Sequence, residues 1–378
     1  MPSNLGLSLS SPGGSLHRNL TRFQVKFDLL LLFSLTIVVG LGLMTLYSAL
    51  VDETSLFIRH VILVVLGFIL MIGVAQIPIT TIYRFTPLIY VGCILLLVGV
   101  YFFGYVSKGS KRWLDLPLLP RFQPSELLKI AIPLMLAWYL KDRTWPISFM
   151  DLCISLAIVA FPVGLVYIQP DLGTSVLLVT GSSSVIVFAG MSWRWIMIAG
   201  GTLISAIPFV WMFGMHPYQK QRVLTMFDPE SDALGSGWNI IQSKTALGSG
   251  GLFGKGWTEG SQIQLEFLPA GHTDFIMAVL GEEMGLIGCA SLLVAFLLIF
   301  ARGLQLSLTL EDDFAKYAIC GITTMFFIYV LVNILMVCGL LPVVGVPLPL
   351  VSFGGTSAVT FLLGFGVIVA LARRREVP

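Results

Sequence analysis

The residues best suited to chemistry in this chain lie at the end of a long polar segment, 214–272. The segment runs into His272-Thr273-Asp274, and Asp274 stands where the next apolar run begins. Lipid cannot solvate a carboxylate, so this side chain must face protein, water or a substrate. It could act as a general base at the membrane surface. The alternative is structural, because an acidic residue near a helix N-terminus also interacts favourably with the helix dipole.

A second charged pair follows Pro124, a residue that suits the first turn of a helix. Glu126 and Lys129 are three residues apart, so they share a helix face and can form an ion pair. Either charge alone would cost about 2.5–3.5 kcal/mol at the centre of a bilayer. An internal ion pair that stabilises a helix bundle and a role in binding a ligand are both open.

The polar segment also contains a glycine-rich run, 248–256, that superficially resembles a phosphate-binding P-loop. Ser249 replaces the first glycine of that motif, and Gly256 replaces the Ser or Thr that follows the lysine. We therefore exclude nucleotide binding. A glycine-rich backbone can still approach a phosphate or a sugar closely, and Lys255 could add a positive charge.

Composition indicates which elements must position these residues. Hydrophobic residues make up 56% of the chain and charged residues 11%, whereas soluble domains carry about 25% charged residues. Most apolar runs are near the roughly 20 residues that cross a bilayer as a helix. We predict an all-α polytopic membrane protein with about ten transmembrane helices. The predicted spans are 28–48, 56–76, 86–105, 124–140, 150–168, 172–190, 194–213, 273–301, 316–340 and 351–371.

Basic residues lie at both ends of the chain and in every second connection. The positive-inside rule places these parts in the cytoplasm. We therefore predict a cytoplasmic N-terminal tail over 1–27, a transmembrane domain over 28–372 and a cytoplasmic C-terminal tail over 373–378. The polar segment 214–272, between the seventh and eighth spans, is then one long extracytoplasmic loop.

The short outer segment 106–123 departs from this charge rule. Its charged residues are Lys108, Lys111, Arg112 and Arg121, with Asp115 as the acid. Positive charge on a short outer loop opposes insertion in this orientation, so an anionic ligand would compensate for it. Contact with lipid headgroups or pairing with the acid is the alternative. The turn Gln169–Thr174 is a second polar outer junction, in which Asp171 could cap the next helix or accept a bond from a nearby positive group.

These parts narrow the chemistry. No HExxH motif and no Cys–His spacing is present, which argues against a metalloprotease, and no GxSxG elbow is present. A carboxylate and several cations on the outer side suit a substrate with a hydrocarbon tail, a pyrophosphate and a sugar. Cations would neutralise a phosphate leaving group, and the carboxylate would deprotonate an attacking sugar hydroxyl. The same parts also suit a transporter that moves such a lipid across the membrane.

Five stretches in order resemble the SEDS family (shape, elongation, division and sporulation). They are Asn333–Ser357, Lys111-Arg112-Trp113-Leu114, Gln123-Pro124-Ser125-Glu126, Gln169-Pro170-Asp171-Leu172-Gly173-Thr174 and His272-Thr273-Asp274-Phe275. Together they cover nearly the whole chain after residue 28. Within the family, the runs Gly339–Pro347 and Asp228–Asp232 resemble the elongation members more than the division members.

The resemblance implies a ten-helix bundle in the bacterial inner membrane that polymerises lipid II into peptidoglycan glycan strands during cell elongation. Lipid II would be both donor and acceptor, and the active site would face the periplasm. The resemblance also implies a class B penicillin-binding protein as transpeptidase partner, together with other membrane proteins of the elongation complex. We expect no nucleic-acid partner. The rival functions are a lipid II flippase and a noncatalytic elongation scaffold.

The resemblance also assigns roles to residues. The catalytic aspartate of the family matches Asp274, and an acidic residue important for its function matches Glu266. The polar groups of the family's outer cavity match Trp113, Glu126 and Lys129, and Arg59 is placed with them. Further candidates for binding substrate are Lys111, Arg112, Gln123, Lys255 and Ser352.

The mechanism expected from this assignment is a single inverting transfer. Asp274 would take the proton from the 4-hydroxyl of an acceptor GlcNAc, which attacks C1 of the donor MurNAc and expels undecaprenyl pyrophosphate. Candidates for stabilising the pyrophosphate are Lys111, Arg112, Lys129 and Lys255, and a divalent cation such as Mg²⁺ could assist.

Two positions depart from the family pattern. Ala270 replaces the glutamate of the usual Leu-Pro-Glu run, so one carboxylate is missing, and Phe353 stands where tyrosine is usual. Neither departure affects Asp274.

Overall fold

The computed structural model describes residues 28–107, 110–115, 122–232, 235–265 and 267–373. The chain is largely helical, with one short hairpin of β1 (Tyr105–Ser107) and β2 (Ser110–Trp113). The first seven helices are α1 (Leu29–Ala49), α2 (Thr54–Val74), α3 (Ile79–Phe103), α4 (Pro124–Leu140), α5 (Phe149–Ile168), α6 (Leu172–Phe188) and α7 (Trp193–Phe209). The remaining helices are α8 (Pro217–Phe227), α9 (Ser236–Ser249), α10 (Ser261–Gln264), α11 (Ile276–Thr309), α12 (Asp313–Val337) and α13 (Gly355–Ala372).

Eight of the described helices are long and apolar enough to cross a membrane, namely α1, α2, α3, α5, α7, α11, α12 and α13, where α7 is counted with its π-helical continuation to Gly214 (22 residues). The prediction of an all-α polytopic membrane protein is therefore confirmed. Helices α4 and α6, which complete the ten predicted spans, have 17 residues each, slightly below the usual length of a spanning helix. The number of spans stays a prediction.

Several boundaries differ from the predicted ones, because charge and proline end an apolar run without ending a helix. Helix α3 begins at Ile79 and includes Arg84 and Pro87 near its start, whereas the predicted span begins at 86. The predicted loop 214–272 contains three helices, α8, α9 and α10, of which α8 and α9 have too few apolar residues to read as spans. The outer segment 106–123 contains the hairpin that carries Arg112.

The core lies around α12 and α13. Helix α12 packs against α4, α6, α11 and α13, and α13 also packs closely against α2. At the periphery, none of the residues of α7 is buried. The central helices therefore fix the positions of the residues at the outer ends of α4, α6 and α11.

Helix α11 is broken at Gly285, where the backbone has φ 64° and ψ −158°. The glycine-rich run packs into this break. The amides of Lys255 and Gly256 donate to the carbonyls of Glu282 (2.9 Å) and Glu283 (3.2 Å), and the amide of Leu286 donates to the Gly251 carbonyl (2.9 Å). The backbone of the glycine-rich run, which a phosphate or sugar could approach, thus forms hydrogen bonds within the protein. These bonds satisfy backbone groups left unpaired by the break in α11.

Candidate active site

A cavity of about 700 Å³ collects residues from seven parts of the chain. The parts are β2, the N-terminal ends of α4 and α6, helix α8, the turn before α11, helix α12 and the loop 342–347. Five predicted site residues line this cavity: Arg112, Trp113, Gln123, Glu126 and Asp274. The structure therefore brings together side chains that are up to 162 residues apart in the sequence.

Asp274 lies in the turn that precedes α11. The helix begins at Ile276 with Phe275 as its N-cap residue, so Asp274 stands before the helix and not in its first turn. This corrects the expectation that Asp274 opens the helix, and it weakens the helix-dipole alternative. Thr273 does not cap the helix either, because its hydroxyl donates to the Ala270 carbonyl (3.3 Å).

The position of this turn is fixed by α12 and by the loop that follows α12. The amide nitrogen of Asn333 donates to the backbone carbonyls of Asp274 (2.8 Å) and Val346 (2.7 Å). The Phe353 backbone amide donates to the His272 carbonyl (2.9 Å). A fully buried asparagine thus joins two irregular segments, and it holds the Asp274 backbone against the bundle core.

Arg112 reaches the cavity from β2. Its guanidinium donates to the backbone carbonyls of Gln169 (3.2 Å) and Pro170, and it forms an ion pair with Asp171 (3.5 Å). Asp171 also accepts from the Thr174 amide (3.2 Å), which confirms the predicted cap of α6. The Arg112 side chain is 30% exposed, so part of its guanidinium remains accessible from the cavity.

The predicted ion pair between Glu126 and Lys129 is confirmed, at 2.6 Å. The Lys129 side chain is only 1% exposed, and its ammonium also contacts Ser357 Oγ (3.2 Å) and the ring of Tyr329 (4.0 Å to the centroid). Glu126 lines the cavity whereas Lys129 lies behind it. Lys129 therefore acts on the cavity through Glu126, and its charge is already compensated.

Helix α8 contributes four residues that no motif of the sequence singled out. Tyr218, Gln219, Arg222 and Val223 line the cavity, and their spacing of i, i+1, i+4 and i+5 places them on one helical face. Arg222 donates to the Val343 carbonyl (3.0 Å), and the Tyr218 hydroxyl donates to the Pro170 carbonyl (3.3 Å). Helix α8 thus connects two walls of the cavity. The helical spacing of these four residues is the sequence signal that could have predicted a shared face.

Four other predicted site residues do not line the cavity. Arg59 and Lys111 have exposed side chains, on α2 and β2. Lys255 is paired with Glu282 at 2.6 Å. Ser352 is buried, and its hydroxyl accepts from the Leu348 amide (2.8 Å). Glu266 lies outside the described residues, as do Lys108 and Arg121 of the basic outer segment.

A second pair of acids lies near the break in α11, apart from the cavity. The Glu282 carboxylate accepts from Lys255 Nζ (2.6 Å), Ser261 Oγ (2.9 Å) and the Gln262 amide (3.1 Å). Glu283 accepts from the Ser48 hydroxyl. Glu282 is fully buried and does not line the cavity that Asp274 lines.

Among the residues that the structure describes, no group of three or more His, Cys, Asp or Glu side chains could hold a metal ion. Two carboxylates of the cavity form ion pairs: Glu126 with Lys129, and Asp171 with Arg112. The expectation of a divalent cation such as Mg²⁺ stays a prediction.

Comparison with known proteins places the chain among cell-wall enzymes. Residues 21–377 match the family model of FtsW, RodA and SpoVE, described as a cell cycle protein. The chain is 44% identical over 353 residues to the peptidoglycan glycosyltransferase MrdB of Escherichia coli (strain K12), which covers 93% of this chain and 95% of that protein. It is 33% identical over 365 residues to a probable peptidoglycan glycosyltransferase FtsW of Geobacter metallireducens, covering 93% and 96% of the two chains.

Two solved structures are similar across the molecule. One is a chain from a peptidoglycan synthase complex that coordinates polymerization and crosslinking, with a TM-score of 0.82 and 28% identity over 94% of this chain and 100% of that chain. The other is the rod shape determining protein RodA of Thermus thermophilus, with a TM-score of 0.71 and 27% identity over 94% of this chain and 99% of that chain.

Proposed function

Because this chain belongs to the FtsW, RodA and SpoVE family of cell cycle proteins and is a peptidoglycan glycosyltransferase, we propose that its cavity around Asp274 polymerises lipid II into glycan strands during cell elongation. The observation that carries this proposal is one cavity lined by the carboxylate of Asp274 and the guanidinium groups of Arg112 and Arg222. A base can activate the acceptor hydroxyl, and cations can stabilise the departing pyrophosphate, in the transfer of a sugar from a pyrophosphate carrier.

Asp274 is the general base of the proposed reaction. Its carboxylate takes the proton from the 4-hydroxyl of the acceptor GlcNAc, and the oxygen forms a bond to C1 of the donor MurNAc. The bond from C1 to the pyrophosphate oxygen breaks, and undecaprenyl pyrophosphate leaves with its electron pair. One displacement inverts the α-linked donor to a β-linked product. Asn333 supports this role by holding the Asp274 backbone (2.8 Å).

Arg112 and Arg222 stabilise the departing pyrophosphate. Each guanidinium has five N–H donors and uses only some of them on backbone carbonyls. The planar donor group matches phosphate oxygens, and charge-assisted bonds to a phosphate are about twice as strong as neutral ones. Lys129 and Lys255, which were candidates for this role, are already paired with Glu126 and Glu282.

The position of the cavity favours an enzyme over a flippase. It lies at the N-terminal ends of α4 and α6, whereas a second cavity of about 800 Å³ lies at the C-terminal ends of α4 and α11. Buried apolar side chains occupy the helices between them: Ile132 and Leu136 on α4, and Ile322 and Phe326 on α12. A flippase would need polar groups along this whole depth.

The partner and location follow from the same proposal. The similarity to a chain of a synthase complex that coordinates polymerization with crosslinking supports a class B penicillin-binding protein as partner. The eight apolar helices of this multi-pass protein would lie in the bacterial inner membrane, with both termini cytoplasmic and the cavity facing the periplasm. Lipid II would then meet Asp274 on the side where glycan strands grow.

A reconstitution experiment tests the function. The purified protein, alone and with a transpeptidase partner that has no glycosyltransferase activity, is supplied with lipid II, and glycan strands are separated by length. In parallel, proteoliposomes report transbilayer movement of lipid II. We expect glycan strands. Lipid II movement without glycan strands would establish a flippase instead. If neither glycan strands nor lipid II movement is detected, the noncatalytic scaffold is the remaining function.

A further inference from the structure

Tyr329 is a cavity residue for which the proposed reaction has no role. It lies on α12, lines the cavity and is only 2% exposed. Among the described residues, none gives its buried hydroxyl a hydrogen-bond partner. Leaving a buried hydroxyl unpaired is unfavourable, so this position calls for an explanation. The adjoining cavity offers one, because a ligand that enters it can provide the missing partner.

The aromatic ring of Tyr329 is held firmly from behind. The Lys129 ammonium lies 4.0 Å from the ring centroid, and the ring of Phe361 meets it edge-on at 5.7 Å. Lys129 is fixed in turn by its ion pair with Glu126. The hydroxyl is therefore a preorganised group on a rigid helix and not a side chain free to turn toward another protein atom.

The charges around this end of the cavity indicate the chemistry of the ligand. The carboxylate of Glu126, on α4, lines the same cavity as Tyr329, and its ion-pair partner Lys129 contacts the Tyr329 ring. This carboxylate can accept hydrogen bonds from sugar hydroxyl groups, but it has no donor to offer to a phosphate oxygen. The two arginines of the cavity come from β2 and α8. The cavity thus has an acidic and hydroxylic part next to α4 and α12, and a cationic part next to β2 and α8.

We propose that Tyr329 is a further substrate contact, whose hydroxyl donates a hydrogen bond to a neutral oxygen of a sugar residue in the polyprenyl pyrophosphate-linked substrate. This inference rests on the proposed function and extends it. The sugar binds at the α4 and α12 part of the cavity, and the pyrophosphate binds at Arg112 and Arg222. Tyr329 then helps to orient the sugar relative to Asp274.

The substitution Tyr329→Phe in the full-length protein tests the inference, because it removes the hydroxyl and keeps the ring that Lys129 contacts. Loss of one neutral hydrogen bond predicts a rise of about three- to tenfold in KM for lipid II, with kcat changed less than about twofold. Inhibition by undecaprenyl pyrophosphate, which carries no sugar, should be unchanged. The melting temperature without substrate should stay level or rise, since the lost hydroxyl has no protein partner.

Tyr90→Phe is the matched control. The Tyr90 hydroxyl is part of a buried side chain that does not line the cavity, and it donates to the Ile158 carbonyl at 2.6 Å. We expect this variant to show the opposite pattern, a lower melting temperature and an unchanged KM.

Three results would overturn the inference while the proposed function stands. They are an unchanged KM in an active Tyr329→Phe protein, an equal loss of inhibition by undecaprenyl pyrophosphate, and a melting temperature lowered as much as by Tyr90→Phe. A wild-type protein that forms no glycan strands from lipid II would remove the proposed function and this inference together.

Discussion

Asp274 and the pair Glu282 and Glu283 lie close in sequence around the start of α11, and they differ in what surrounds them. Asp274 lines a cavity together with Glu126 and residues of α8. Eight residues further along, Glu282 is fully buried and receives donors from Lys255, Ser261 and Gln262. A carboxylate in a membrane segment is thus not in itself an active site. Glu282 is buried apart from the cavity, so its role is structural, whereas Asp274 adjoins the cavity and can meet a substrate there.

The glycine-rich run, 248–256, packs against Glu282 and Glu283 and covers them. Gly254 has φ +82°, and a Cβ atom there would lie 2.0 Å from the Glu283 carbonyl oxygen. The close approach lets the run hydrogen-bond with the broken helix and brings Lys255 to Glu282. The region that looks most like a phosphate site in the sequence therefore stabilises the start of α11, on which the position of Asp274 depends.

The largest effect should come from Asp274→Asn, which keeps the shape of the side chain and removes the base. We expect the rate of lipid II polymerisation to fall by about 10²–10⁴-fold, the usual contribution of acid–base catalysis. The variant should still fold, because asparagine keeps the size and shape of the side chain. A correctly folded variant that polymerises at the wild-type rate would refute the catalytic role of Asp274. Asp274 would then be no more important for activity than the buried Glu282.

Arg222→Gln should have the next largest effect on activity. It removes a cation of the cavity while an amide can still donate to the Val343 carbonyl. Hydrogen bonds to charged groups contribute about 1.5–3 kcal/mol, so we expect kcat/KM to fall by roughly 10- to 150-fold. Arg59→Gln, an exposed arginine outside the cavity, serves as the control. Equal losses in the two variants would show that α8 does not contribute a substrate contact.

Gly254→Ala should act on stability first. The new Cβ would meet the Glu283 carbonyl in a left-handed backbone conformation, which costs about 1–3 kcal/mol before any relief of the clash. We expect a lower melting temperature in detergent and a partial loss of activity. Gly248→Ala is the control, since nothing lies within 4 Å of a Cβ there and the residue is in α9. A Gly254→Ala protein as stable as wild type would contradict the close packing of the glycine-rich run against α11.

The smallest effect concerns the ion pair between Lys255 and Glu282. A double-mutant cycle with Lys255→Met and Glu282→Gln should give a coupling free energy of about 1 kcal/mol in thermal unfolding, because the lysine side chain is 32% exposed and partly screened. Each single variant should retain the KM for lipid II. A large rise in KM for Lys255→Met, without loss of stability, would return Lys255 to the substrate site.

Much of the fold was predictable because membrane helices have strong local signals. Long apolar runs identify the spans, and the spacing of Glu126 and Lys129 predicts their ion pair, which the structure contains at 2.6 Å. The cap formed by Asp171 is also a local feature. The role of α8 was harder to predict, since its residues meet Val343 and Pro170, which are 121 and 48 residues away.

The sequence by itself determined the membrane class, the order of the helices and the identity of the acids and bases, since these depend on hydropathy, charge and short spacings. Only the tertiary structure decided which charged residues adjoin the cavity and which are paired apart from it. Lys129 and Lys255 find carboxylate partners, Arg112 and Arg222 retain donors beside a cavity, and Asp274 stands before its helix. The physical reason is that the availability of a charge depends on its neighbours in space, and packing brings those neighbours from distant parts of the chain.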